Sequence, residues 1–300
     1  MSLSYFLICF FFLLGAIIGS FLNVVIDRAD LNESPLKGGS YCPHCQKSLA
    51  WWELIPILSF FFLKGKCSSC EHKLSWQYPL VEIITGLLFM LTAMRFLRFA
   101  FFSPYLLQHI SLENILIISN CLFWLFWVSV LVIISVYDFK KYLILSEVLI
   151  PSIVITLFWR ILIGFLIQKN SFYFLPYFFR LLGNKSFIFG YYSYFIALFT
   201  GIVFFCGIIS LLAWVTKEKA MGWGDAILAF FLGSILGWPE SLIALIIAFL
   251  IGGGISLILI IFKKKTMKSF VPFAPFLSIG ALTTMLFGDI IIEMYLLLIL

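Results

Sequence analysis

Charged side chains are scarce in this sequence: 11% of its 300 residues, against 63% hydrophobic. That balance lies far outside the range of a soluble globular domain and leaves a polytopic membrane protein as the class. The net charge of +6 does not argue for nucleic acid, because the lysines and arginines sit at the ends of apolar runs, where membrane orientation places them. The first apolar run has no basic residue ahead of it, and 23–28 offers no convincing small-residue cleavage site. It is therefore expected to stay as a transmembrane helix rather than leave as a signal peptide. Clear internal repeats of broken helices, which a transporter would be expected to carry, are also missing.

What is present is a succession of apolar runs near the length needed to cross a bilayer. Eight candidates fall at about 5–26, 79–97, 115–137, 148–167, 191–215, 225–237, 241–262 and 275–300. The sixth is short, and reads as tilted or partly re-entrant. Eight spans alternate sides, and one side collects 14 of the 20 lysines and arginines, in 27–78, 138–147, 216–225 and 263–274. The positive-inside rule puts that side in the cytoplasm. Arg95 and Arg98 oppose the assignment locally, and Arg160 falls inside the fourth span. The run Lys263-Lys264-Lys265 with Lys268 needs no role beyond anchoring, and His109 has no evident partner.

Two acids stand where apolar runs meet the cytoplasmic side. Asp225 follows Met221-Gly222-Trp223-Gly224, and Asp138 closes Val136-Tyr137. An ionisable residue at membrane depth is a functional hypothesis by default. The reading that asks least of Asp225 is a helix N-terminal acid favoured by the dipole, and of Asp138 a solvated helix-end acid. Their placement on one side at similar depth favours a pair. Two nearby carboxylates share a proton, so one can act as base and the other as acid on water. Gly222 and Gly224 would let the backbone bend and another chain come close. The pattern points to an intramembrane aspartyl protease.

Seven cysteines are present, and four form two C-x2-C units: Cys42-Pro43-His44-Cys45 and Cys67-Ser68-Ser69-Cys70, 21 residues apart. Each unit supplies two thiolates on one turn, and two turns close a tetrahedron around zinc. Four sulfurs leave no position for water, so the expected role is structural, and a cytoplasmic site disfavours disulfides. Redox pairs or unligated thiols are the alternative. Cys9, Cys121 and Cys206 lie in apolar runs and read as small core residues, and His44 and His72 as bystanders. Trp51-Trp52-Glu53-Leu54-Ile55-Pro56, between the pairs, suits a membrane–water interface.

Taken together, these segments resemble the bacterial type IV prepilin peptidases, a family of bifunctional leader peptidases and N-methyltransferases. The likeness runs through 19–28 (Gly-Ser-Phe-Leu-Asn-Val-Val-Ile-Asp-Arg), the cysteine loop with Glu53-Leu54-Ile55-Pro56, Ser59 and Gly65-Lys66, Tyr78-Pro79-Leu80-Val81-Glu82, the GxGD at Gly222–Asp225, and Pro272-Phe273-Ala274-Pro275-Phe276. Three positions depart from the family's usual pattern. The stretch 143–146 lacks a proline, Ile227 stands where lysine is frequent, and Ala274 where glycine is common.

The resemblance implies cleavage of the basic leader of prepilins or pseudopilins at the cytoplasmic membrane face, with Asp138 and Asp225 as the catalytic pair. It implies methylation of the new N-terminal residue with S-adenosylmethionine as donor, and Cys42, Cys45, Cys67 and Cys70 as zinc ligands. No glycine-rich α/β methyltransferase unit is present, so a cofactor site must come from the loop and helix ends, with Glu53, Lys66 and Glu82 as candidates. The expected architecture is an all-α polytopic membrane protein of about eight helices with a cytoplasmic zinc-ribbon-like loop after the first. The implied division is 1–98, associated with methyl transfer, and 110–300, the peptidase core. Its setting would be the bacterial inner membrane, with lipids and prepilins as partners and no nucleic acid. Two alternatives remain open: a presenilin-like or archaeal-type protease without methyl transfer, and a zinc-ribbon transporter or sensor.

Overall fold

The computed structural model describes residues 2–29, 31, 33–35, 37–101, 112–170, 187–218, 221–263 and 271–299. His109, the 171–186 stretch, Lys219, Lys264, Lys265 and Lys268 lie outside these, as does the side chain of Arg98. Nine α-helices are formed among the described residues: α1 (Ser2–Ala29), α2 (Leu58–Phe62), α3 (Gln77–Phe101), α4 (Leu112–Lys141), α5 (Ser146–Asn170), α6 (Phe187–Thr216), α7 (Trp223–Leu236), α8 (Glu240–Ile261) and α9 (Ala274–Ile299). A 3-10 turn, Trp51–Leu54, precedes α2. Among the described residues, seven helices are long and apolar enough to cross a membrane. The eighth expected span is α7, whose 14 residues reach only about 21 Å, less than a hydrocarbon core of roughly 30 Å. The chain divides into two compact units, Met1–Ile133 and Ile134–Leu300.

In the first unit α1 packs along α3. Lipid tails are as apolar as leucine, so helices there associate by close packing at small residues. A methyl group on Gly15 would lie 2.7 Å from the Phe89 Cβ and from the Thr85 carbonyl oxygen, and one on Gly19 2.8 Å from the Glu82 Cα. The opposite face of α1 leaves Phe6, Phe10, Leu13 and Ile17 exposed. At the loop end of this pair, the Asn23 amide donates to the Tyr78 carbonyl (3.2 Å) and accepts from the Gln77 amide (3.2 Å).

In the second unit α7 is central, touching α5, α6, α8 and α9. Leu228, Ala229, Phe231 and Leu232 on it are fully buried. A helix too short to span is tolerable at membrane depth because protein surrounds it and supplies partners for its ends. At its C-terminal end Gly237 donates to the Gly233 carbonyl (2.9 Å) and Trp238 to that of Ala197 (2.8 Å). Arg160, within the fourth span, donates to the Ser234 carbonyl (3.3 Å) and the Tyr194 hydroxyl (3.4 Å). The α6–α7 contact is again backbone on backbone: a Cβ on Gly201 would fall 2.5 Å from the Gly237 carbonyl carbon.

Candidate active site and metal centre

Asp138 sits in the last turn of α4, ahead of Lys140 and Lys141. It is 5% exposed, and its Oδ2 accepts the Ala274 backbone N–H at 3.2 Å. Ala274 opens α9, so the carboxylate lies against the positive end of a helix dipole. Asp225 lies in the first turn of α7, where its Oδ2 accepts the Gly222 N–H at 3.1 Å. The helix-cap role expected of this residue is therefore present. The two carboxylates lie within electrostatic reach of each other.

The two motif glycines differ in their surroundings. Apart from the Gly224 backbone nitrogen at 3.9 Å, a Cβ on Gly222 would meet open space, whereas one on Gly224 would meet the Ile144 side chain at 3.3 Å. The departures from the family pattern are placed as well. Ile144 packs on Gly224, Ile227 faces outward, and Ala274 is buried with its N–H still free to serve Asp138.

The four paired cysteines converge in the first unit. Their sulfurs all lie within 4.8 Å of one another, with Cys42 to Cys70 at 3.9 Å and Cys45 to Cys67 at 4.0 Å. A tetrahedral zinc with bonds of 2.3 Å requires sulfur separations of about 3.8 Å, so these residues fit the metal. The two turns are built alike. Cys42 N–H donates to the Lys47 carbonyl and Gln46 N–H to that of Cys42; in the second, Cys67 N–H donates to the His72 carbonyl and Glu71 N–H to that of Cys67. Gln46 and Glu71 both take positive φ, and a β-bridge closes each turn, Tyr41 with Ser48 and Lys66 with Lys73. Backbone N–H groups of Cys70 and Ser69 pull the Cys67 thiol down to about 6, toward the thiolate a metal needs. His44 and His72 stack on each other at 4.4 Å. Cys9 is exposed, Cys121 buried and Cys206 half-buried, and none joins the cluster.

Beside the cysteines lies a cavity of about 400 Å³, bounded by the ends of α1 and α3 and by the loop. Glu53 and Glu82, both 7% exposed, line it; Lys66 is exposed and does not. Glu53 accepts the Ser68 hydroxyl and the Ala50 N–H (2.7 Å), and these bonds hold its carboxyl below the usual glutamate range. Glu82 accepts the Ile57 N–H at 2.6 Å. Asp27 accepts the Tyr78 hydroxyl at 3.0 Å on the cavity wall.

Arg28 was legible as a basic charge and as the end of the 19–28 likeness, with no partner assigned to it. It is 5% exposed and donates to the carbonyls of Ser34 (3.1 Å), Pro35 (3.3 Å), Lys37 (2.8 Å) and Gly39 (2.8 Å), pinning the start of the loop. Its place at a helix end ahead of a long polar loop was the available signal. The Ala274 amide had no residue-type signal at all, because every residue but proline carries that donor.

Fold and site define a polytopic helical membrane protein with a carboxylate pair at two helix ends and a separate four-thiol cluster. The chain belongs to the type IV leader peptidase family: residues 13–96 match the Bacterial Peptidase A24 N-terminal domain, and 125–257 the Type IV leader peptidase family. It is 29% identical over 286 residues to the prepilin leader peptidase/N-methyltransferase of Bacillus subtilis, covering 95% of this chain and 96% of that one. With the prepilin leader peptidase/N-methyltransferase of Stutzerimonas stutzeri it shares 27% over 306 residues, covering 94% and 91%. With that of Myxococcus xanthus it shares 49%, over 87 residues that make up 29% of this chain and 26% of the relative. No solved structure matches. Membership of this family sets aside the transporter and sensor readings.

Proposed function

We propose that this chain removes the leader peptide of type IV prepilins or pseudopilins and then N-methylates the new N-terminus. The observation that carries the peptidase half is Asp138 and Asp225, each held by a backbone N–H at an end of α4 or α7, with the Asp225 charge felt at Asp138. Of the pair, the ionised carboxylate takes a proton from water while the protonated one polarises the scissile carbonyl. The hydroxide adds to the carbonyl carbon, the carbon–nitrogen bond breaks, and the leaving nitrogen takes the proton. The open space at Gly222 is where a substrate strand passes beside Asp225.

Methyl transfer is assigned to the first unit. The cavity's volume suits a cofactor site, and its buried carboxylates suit a ligand with cationic and hydroxyl groups. S-adenosylmethionine, when bound, supplies the methyl group. Glu53 and Glu82 would hold its polar groups or the substrate's new amine, and the four thiolates would hold zinc and keep the loop folded around the cavity. The setting we read for it is the bacterial inner membrane with the carboxylate pair on the cytoplasmic side, a reading that the basic loops support.

The test is incubation of a prepilin-like peptide with the protein in lipid, wild type beside Asp225→Asn, with mass spectrometry of the mature N-terminus. Loss of cleavage in the variant, and a one-methyl gain in the wild-type product that depends on S-adenosylmethionine, are expected. A well-folded wild type that leaves several prepilin-like peptides uncut would overturn the assignment.

A further inference from the structure

The wall between the cavity and the outside has two unlike faces. Glu53, Ser59, Phe60 and Leu63 line the cavity from the 3-10 turn and α2. On the outer side Trp51, Leu58, Phe61 and Phe62 are exposed, Phe62 by 80% and Trp51 by 78%. Such a concentration of aromatic surface marks an interaction site rather than scattered surface residues.

Its occupant follows from what adjoins it. Trp76 directly precedes α3, and Leu80 N–H already bonds the Trp76 carbonyl (3.3 Å), so Trp76 is in helical register with α3. The exposed residues Leu80, Ile84 and Leu87 follow at four-, eight- and eleven-residue steps, forming one outward stripe on a membrane-spanning helix. Trp76 carries the stripe to α2 through ring contacts with Phe60 (5.0 Å) and Phe61 (6.4 Å). The patch is thus the continuation of a lipid-facing surface at the level where the span ends. Tryptophan and phenylalanine favour that boundary. Five lysines against two glutamates between residues 37 and 76 suit anionic headgroups.

We propose that α2 and the preceding turn are seated in the surface of the bilayer that α1 and α3 cross. Lipid then backs the outer face of this wall and fixes its inner face against the cavity. A substrate whose hydrophobic segment lies in the membrane would present its cut end at that level; this consequence, unlike the seating itself, rests on the methyl-transfer reading above.

The experiment uses the full chain in nanodiscs of mixed zwitterionic and anionic phospholipid with a prepilin peptide present. A photoreactive benzoylphenylalanine replaces Phe62, or Gln46 on the exposed first cysteine turn. Phospholipid adducts at 62 and none at 46 are expected. Cross-links from 62 to the peptide instead of lipid, or no adduct at 62, would overturn the seating. In parallel, Leu58→Ser/Phe62→Ser, checked for retained zinc, is expected to raise the KM for methyl transfer several-fold with prepilin cleavage kept. An unchanged KM alongside lipid adducts would overturn the link to the cavity. A wild type that cleaves but never methylates would remove the methyl-transfer reading while the adduct result still decides the seating.

Discussion

In the first unit four thiols reach one point because two short turns each deliver two of them, and each turn is closed by its own hydrogen bonds. In the second, the carboxylates come from distant parts of the chain, and a third segment, the start of α9, supplies the amide that holds one of them. The cysteine centre is local, so it survives wherever its loop folds and a metal is available. The carboxylate pair is non-local, so it exists only when α4, α7 and α9 have packed. Damage in one region should therefore show a different signature from damage in the other.

The sharpest way to break this comparison is to alter the acids. Asp138→Asn and Asp225→Asn are each expected to lower prepilin cleavage by at least about 100-fold, the usual loss on removing a positioned acid or base. Both variants should insert normally and still methylate a peptide supplied already cut. Full cleavage by either variant, measured by mass spectrometry, would remove the dyad.

The cysteine centre predicts the opposite pattern. Purified protein should hold about one zinc per chain. Cys67→Ser, or prolonged chelation, should strip the metal and abolish methyl transfer while cleavage falls far less. Metal analysis beside the two activities checks this. Equal loss of both activities would show that the two regions are not separable.

The same contrast explains what could be read from the chain. The cysteine cluster was legible because thiolates at fixed spacing have few other uses, and Asp225 drew notice because two glycines precede an acid at the start of an apolar run. Membrane helices were legible from length and composition alone, down to the shortness of α7. Polar partners inside the folded units were not. Arg160 read as an anomaly in a span, yet it serves the carbonyl of Ser234 near the end of α7. Lys66 and Glu53 are both charged loop residues, and only burial separates the one outside the cavity from the one lining it.

Packing at glycine offers a smaller test in both units. Gly15→Ala would press a methyl group into the Thr85 carbonyl and the Phe89 side chain, and Gly201→Ala would press one into the Gly237 backbone. Overpacking of this kind costs roughly 1–3 kcal/mol. Gly15→Ala is expected to lower thermal stability and weaken methyl transfer first, and Gly201→Ala to weaken cleavage first. Activity measured after graded heating separates them, and the reverse order would contradict the division of labour.

The smallest effect expected concerns Glu53, whose carboxyl is held below the usual glutamate range by the Ser68 hydroxyl and the Ala50 N–H. A depressed folded value means that the charged form stabilises the loop. That contribution is complete above the ordinary glutamate value of about 4.3 and is lost as pH falls through the lower folded value. Glu53→Gln should therefore release zinc more readily than wild type at neutral pH, and the gap should begin to narrow only once pH falls below the ordinary glutamate value of about 4.3. Protonation of the cysteine thiolates loosens the metal in both proteins in acid, so the gap is read only over the pH range in which wild type still holds zinc. A gap that persists undiminished in acid would mean that Glu53 supports the loop through packing and not through its charge.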